Sequence, residues 1–117
     1  RLEDRGGNSV KVKWFGASSN LHRVWDEGLI EFQQLSYTEY ARAINFSSKE
    51  QRENLNTKTL AAWVFASYQV ASGIYADITE PDQKLNYAYN YKYLAVINNQ
   101  LLEGGIHLAN LLNEIFG

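Results

Sequence analysis

A mainly α-helical fold with one short β-strand or hairpin near its start is what this sequence predicts, on three observations. Apolar residues recur at helical spacing from Thr59 to Ile78 and again through the C-terminal third. Hydroxyl residues followed three positions later by glutamate mark helix starts. Apolar and basic residues alternate in one short stretch, Ser9 to Phe15.

In Ser9 to Phe15 the alternation sets Val10, Val12 and Trp14 on one side and Lys11 and Lys13 on the other, as in a half-buried strand. Gly16 ends it. Ser18 or Ser19 is the expected N-cap of a short helix with Leu21, Val24 and Trp25 on its apolar stripe and Gly28 as a left-handed stop. Ser36-Tyr37-Thr38-Glu39 has the capping-box pattern and opens a helix through about Asn45, and Ser47 with Glu50 repeats the pattern. The polar stretch Ser48 to Asn56 reads as a solvated short helix or loop. Leu60, Trp63, Val64, Val70, Ala71, Ile74, Tyr75 and Ile78 predict a long amphipathic helix that contributes to the core. Pro81 marks the next start. Tyr87, Tyr89, Tyr91 and Tyr93 alternate like a strand, but Leu94, Ile97, Leu101, Leu108, Leu111, Leu112 and Ile115 return to helical period. A helix is therefore expected over most of the C-terminal third, with Gly104-Gly105 as a weak point costing ~1 kcal/mol per glycine against alanine.

With 117 residues, 45% hydrophobic and 21% charged, the chain fits one globular domain with a modest core. A formal net charge of -2 argues against a broad cationic surface, so any polynucleotide must be held locally. The absence of cysteine excludes disulfides and thiolate metal sites. No apolar run has membrane-spanning length, and no signal segment opens the chain. With Arg1 first and no methionine, further sequence is expected to precede it in the gene.

His22 and Asp26 stand one helical turn apart on the predicted short helix, where an imidazole and a carboxylate can converge on one ion. Zinc accepts both ligand types, but a zinc site needs three or four, and a surface hydrogen-bonded pair is the alternative. The other histidine, His107, lies between Ile106 and Leu108 and reads as a core or surface residue. Gly6-Gly7-Asn8 reads as a turn leading into the strand. It also permits a phosphate clamp, in which glycine N–H groups approach an anion and the Asn8 amide donates to a phosphate oxygen or an attacking water.

The stretch from Asp4-Arg5-Gly6-Gly7-Asn8 through Asn20-Leu21-His22-Arg23-Val24-Trp25-Asp26 resembles the S1/P1 nuclease family of zinc-dependent, single-strand-preferring nucleases and 3'-nucleotidases. Gly104-Gly105-Ile106-His107-Leu108-Ala109-Asn110-Leu111-Leu112-Asn113 is similar to the last helix of that family, with His107 where many members have arginine. The resemblance implies a single helical S1/P1 nuclease or phospholipase C-like domain with a trinuclear zinc cluster in a cleft, of which residues 1–117 form roughly the C-terminal half. It makes His22 and Asp26 two ligands of one zinc, Asn8 a catalytic residue beside the metal-held water or phosphate, and Gly6, Gly7 and Asn8 the substrate-binding turn. The third ligand is then expected before Arg1, and the N-terminal half of the same enzyme is an expected partner, without which these residues are inactive.

The implied activity is zinc-dependent hydrolysis of single-stranded RNA or DNA to 5'-phosphates, with 3'-nucleotidase activity. Phe15, Tyr37 and the Tyr87 to Tyr93 series are candidates for base stacking, although core packing suits each better, and Trp14, Trp25 and Trp63 read as core. The resemblance further implies export, secreted or periplasmic, and the lack of cysteine suits a bacterial member, in which the sequon Asn45-Phe46-Ser47 is accidental. Two alternatives stand beside it: a zinc-dependent phospholipase C relative, and a non-catalytic helical interaction module.

Overall fold

The computed structural model describes residues 4–117, and these build five helices around one small sheet. Strands β1 (Lys11–Trp14) and β2 (Ala17–Asn20) pair antiparallel, Lys11 opposite Asn20 and Trp14 opposite Ala17. The β-element is thus a hairpin, and the alternation in β1 buries Val12 completely. Its two loop residues, Phe15 and Gly16, have φ of 49° and 82°, the left-handed pair that a type I′ turn demands. Phe15 is held in that unfavourable backbone by its ring, stacked on Phe32 at 5.6 Å and edge-on to Tyr87 at 5.0 Å. Strand β3 (Gln83–Leu85) adds parallel to the other edge of β1, giving the order β2-β1-β3. Parallel neighbours need a long crossover, and here four helices make it.

Helix α1 (residues 21–31) is α-helical over Leu21–Arg23, π-helical over Val24–Gly28 and α-helical again over Leu29–Glu31. Its N-cap is Asn20, whose side-chain oxygen accepts the Arg23 N–H at 2.9 Å, whereas Ser18 and Ser19 lie in β2. Gly28 is not a stop either. It has φ of -59°, and the helix runs through it; the absence of a side chain there admits the Trp14 ring, which a Cβ would meet at 2.9 Å. Helix α2 (Tyr37–Ile44) carries the expected capping box between Ser36 and Glu39. Helix α3 (Lys49–Thr57) is capped by Ser48 rather than Ser47. Helix α4 (Leu60–Ala76) is capped by Thr59. Helix α5 (Tyr87–Phe116) continues through Gly104 and Gly105, and its buried Tyr89, Tyr93 and Ile97 follow helical rather than strand spacing.

Val12, Val24, Leu29, Leu85, Tyr89, Tyr93 and Ile97 form the core, with Trp14 and Trp25 packed against it. Helix α1 is fixed to α5 by the Trp25 Nε1–H, which donates to the Tyr89 hydroxyl at 2.8 Å. Gln33, Tyr40 and Asn98 form a second polar tie to α5. Helix α4 departs from expectation: it buries no residue fully, and Leu60, Val64, Phe65 and Tyr68 are exposed, while among the described residues it packs on the core through Ile74. Trp63 is half-buried against the His107 ring, 3.4 Å between centroids, and is not part of the core. Among the described residues no helix is long and apolar enough to cross a membrane.

Candidate metal centre

The segment before β1 is a turn built from three consecutive left-handed residues, Arg5, Gly6 and Gly7, with φ of 54°, 73° and 99°. Buried Asp4 organises it. Its Oδ1 accepts the N–H groups of Gly6 at 3.0 Å and Gly7 at 3.1 Å and the Tyr75 hydroxyl at 3.2 Å, while its carbonyl accepts the Asn8 N–H at 2.9 Å. Burial pushes this carboxyl upward, but the Gly7 N–H, the Tyr75 hydroxyl and the Gly6 N–H outweigh it and hold the group below the ordinary aspartate value.

The two glycine N–H groups therefore point inward to Asp4, not outward to an anion as a phosphate clamp would have them. Asn8 is exposed, and one amide hydrogen closes the turn on the Arg5 carbonyl at 2.7 Å. An asparagine amide carries a second N–H and an acceptor oxygen.

The turn's carbonyls face His22. Gly6 O lies 3.1 Å from His22 Nδ1, and Gly7 O accepts the His22 backbone N–H at 3.3 Å. A carbonyl only accepts, so Nδ1 carries the hydrogen and the neutral ring keeps its lone pair on Nε2. This is how a metal-ligating histidine is ordinarily oriented. Glycine is required at the contact, because a Cβ on Gly7 would lie 3.0 Å from His22 N and 3.2 Å from Leu21 Cβ.

Asp26 lies on the same helix, inside the π turn and next to the anchored Trp25. A π turn takes more residues than an α turn, so four positions fall just short of one full turn instead of just beyond it. His22 and Asp26 are both exposed, and the neighbouring Arg23 pairs with Glu27 at 3.2 Å, leaving Asp26 without an ion pair among the described residues. An imidazole nitrogen and a carboxylate oxygen suit zinc, but no group of three His, Asp or Glu side chains able to hold an ion occurs among the described residues. The donor set fits zinc and is incomplete.

His107 stands elsewhere, against Trp63, and burial lowers its pKa. Of the candidate stacking rings, Tyr37, Tyr87 and Tyr91 are exposed, whereas Tyr89 and Tyr93 belong to the core. The sequence reading does not single out Asp4 or Tyr75. An aspartate two positions before a glycine pair is an Asx-turn signal that would have found the first, but Tyr75 is linked to it only by the fold.

Fold and site together define a mainly α protein in which a glycine turn grips a histidine that shares its helix with an exposed aspartate. The S1/P1 nuclease family model matches residues 1–117, and the chain belongs to that family. Among its relatives in Arabidopsis thaliana it is 30% identical to Endonuclease 2 over 131 residues, covering 97% of this chain and 44% of the relative. It is 29% identical to Endonuclease 3 and to Endonuclease 4, covering 98% of this chain and 44% of each. The chain thus spans less than half the length of the curated relatives it matches.

Proposed function

We propose that this chain supplies His22 and Asp26 to the metal site of a zinc-dependent nuclease that hydrolyses single-stranded RNA or DNA to 5'-phosphates and acts as a 3'-nucleotidase. The observation that carries this reading is the Gly6 carbonyl on His22 Nδ1, which leaves Nε2 as a ligand atom. Family membership and the endonuclease names of the relatives support it. Bound zinc supplies a water of lowered pKa and positive charge against the phosphoryl oxygens. The remaining ligands come from an N-terminal half outside these residues, in the same enzyme or as a separate segment, consistent with relatives more than twice as long.

In this reading His22 holds one tautomer, Asp26 contributes negative charge, and the second N–H of the Asn8 amide meets the attacking water or a phosphate oxygen. Gly6 and Gly7 serve the site by their carbonyls and by placing Asn8, not by binding phosphate through N–H. An enzyme of this specificity is exported, to the periplasm or beyond the cell.

Incubating the intact protein with zinc and either single-stranded RNA or phosphatidylcholine tests the reading. Release of acid-soluble nucleotides, lost in His22→Ala, is expected. Release of phosphocholine instead would assign a lipid phosphodiesterase. The exposed apolar face of α4 favours a second reading, a non-catalytic helical interaction module. It predicts no zinc uptake and no hydrolysis of either substrate.

A further inference from the structure

We propose that Asp4 is a positioning residue for His22, acting across the single peptide unit that joins Gly6 to Gly7; this rests on His22 being a metal ligand. In a trans peptide the C=O and N–H lie on opposite edges of one plane. Here the Gly7 N–H donates to Asp4 Oδ1 at 3.1 Å, and the Gly6 C=O of the same unit accepts from His22 Nδ1 at 3.1 Å. Carboxylate, peptide and imidazole form one chain of hydrogen bonds.

An ionised acceptor makes the first bond of such a chain strong, and successive bonds polarise one another. The peptide carbonyl becomes a better acceptor than an isolated one and holds the imidazole more firmly with its hydrogen on Nδ1. A carboxylate bonded directly to a ligating histidine does the same, fixing tautomer and ring orientation and raising ligand basicity. In this chain the carboxylate is one peptide removed.

Three further bonds make the arrangement specific to the ring. The Gly6 N–H donates to the same Asp4 oxygen at 3.0 Å, and the His22 backbone N–H donates to Gly7 O, so both the turn and the start of α1 are tied to one frame. The Tyr75 hydroxyl reaches Oδ1 from α4 at 3.2 Å, so all three donors converge on one oxygen. The other, Oδ2, is buried and has no hydrogen-bond partner among the described residues. A residue needed only to close the turn would require the two glycine N–H bonds; the third donor anchors that oxygen to α4, and the buried charge polarises the peptide that meets the ring.

The test compares Asp4→Ala, Asp4→Asn and Tyr75→Phe with the wild type as intact protein. The His22 tautomer is read without metal by long-range 15N–1H correlation, and zinc affinity by competition with a chromophoric chelator. The wild type is expected to hold the hydrogen on Nδ1. Asp4→Ala should release a mixture of tautomers and weaken zinc binding by ~10- to 100-fold, with Asp4→Asn and Tyr75→Phe moving the same way by less. If Asp4→Ala does not fold, the two milder variants carry the test. An unchanged tautomer and unchanged zinc affinity in the folded variants would overturn the proposal. A tautomer that shifts in a protein whose wild type binds no zinc would uphold the positioning and sink the metal centre, so the two failures are distinguishable.

Discussion

At Gly7 the backbone sits at φ +99°, and a Cβ would press on both the His22 amide nitrogen and Leu21 Cβ. Gly7→Ala therefore meets strain and contact together, and is expected to cost ~1–3 kcal/mol, read from the denaturant midpoint. The acidic end of the stability profile is set by carboxyls such as Asp4 and Asp77. Asp77 is held low by the Lys92 ammonium and the Tyr93 hydroxyl against the upward push of burial. A carboxyl lowered on folding contributes stability that is complete above its unfolded pKa, about 3.9, and is lost as pH falls through the lower folded value. Asp77→Asn should thus be less stable than wild type at about pH 6, with the difference shrinking as pH falls below the ordinary aspartate value, by denaturant titration across that range. At this scale the Gly6-Gly7 turn and the His22–Asp26 spacing were legible as sequence patterns, because each carries its own chemical signature, although the turn's N–H groups were expected to face an anion and instead bond Asp4. Asp4 was not, since its importance lies in what its carboxylate receives from Gly6, Gly7 and Tyr75.

Two glycines on helices make opposite predictions. Gly28 lies in α1 with a Cβ position 2.9 Å from the Trp14 ring, so Gly28→Ala overpacks that contact and should cost ~1–3 kcal/mol. Gly104 lies in α5 with nothing within 4 Å of its Cβ position, so Gly104→Ala should stabilise by ~0.5–1 kcal/mol. Thermal midpoints of the two variants, one lowered and one raised, check both. The helix start at Ser36 was readable because caps are local chemistry between residues three apart, whereas the start at Thr59 was read from apolar spacing alone and its cap emerges from the structure. The role of Gly28 and the π turn were not. The first depends on a strand distant in sequence, and the second breaks the 3.6-residue period on which helix reading rests.

Taken whole, the molecule is elongated, with a Cα radius of gyration of 15.8 Å and extents of 47 × 33 × 22 Å, against about 13 Å expected for a compact chain of this length. Helix α5 has 30 residues and runs about 45 Å, beyond the core, which among the described residues it meets through Tyr89, Tyr93, Val96 and Ile97. Its Leu108, Leu111, Leu112 and Ile115 are exposed, as are Leu60, Val64, Phe65 and Tyr68 of α4. The hydrophobic period announced both helices correctly and overstated their burial, because periodicity fixes which face of a helix is apolar, not whether the fold covers it. The same holds for the candidate metal centre, where His22 and Asp26 share one helix and no group of three metal-ligating side chains occurs among the described residues.

Zinc content of the intact purified protein, compared with His22→Ala and Asp26→Ala, tests the central claim most directly. The expected result is bound zinc in the wild type and loss of one equivalent in each variant, with the helical circular-dichroism signal unchanged. Zinc absent from the wild type, or retained in full by both variants, would contradict it.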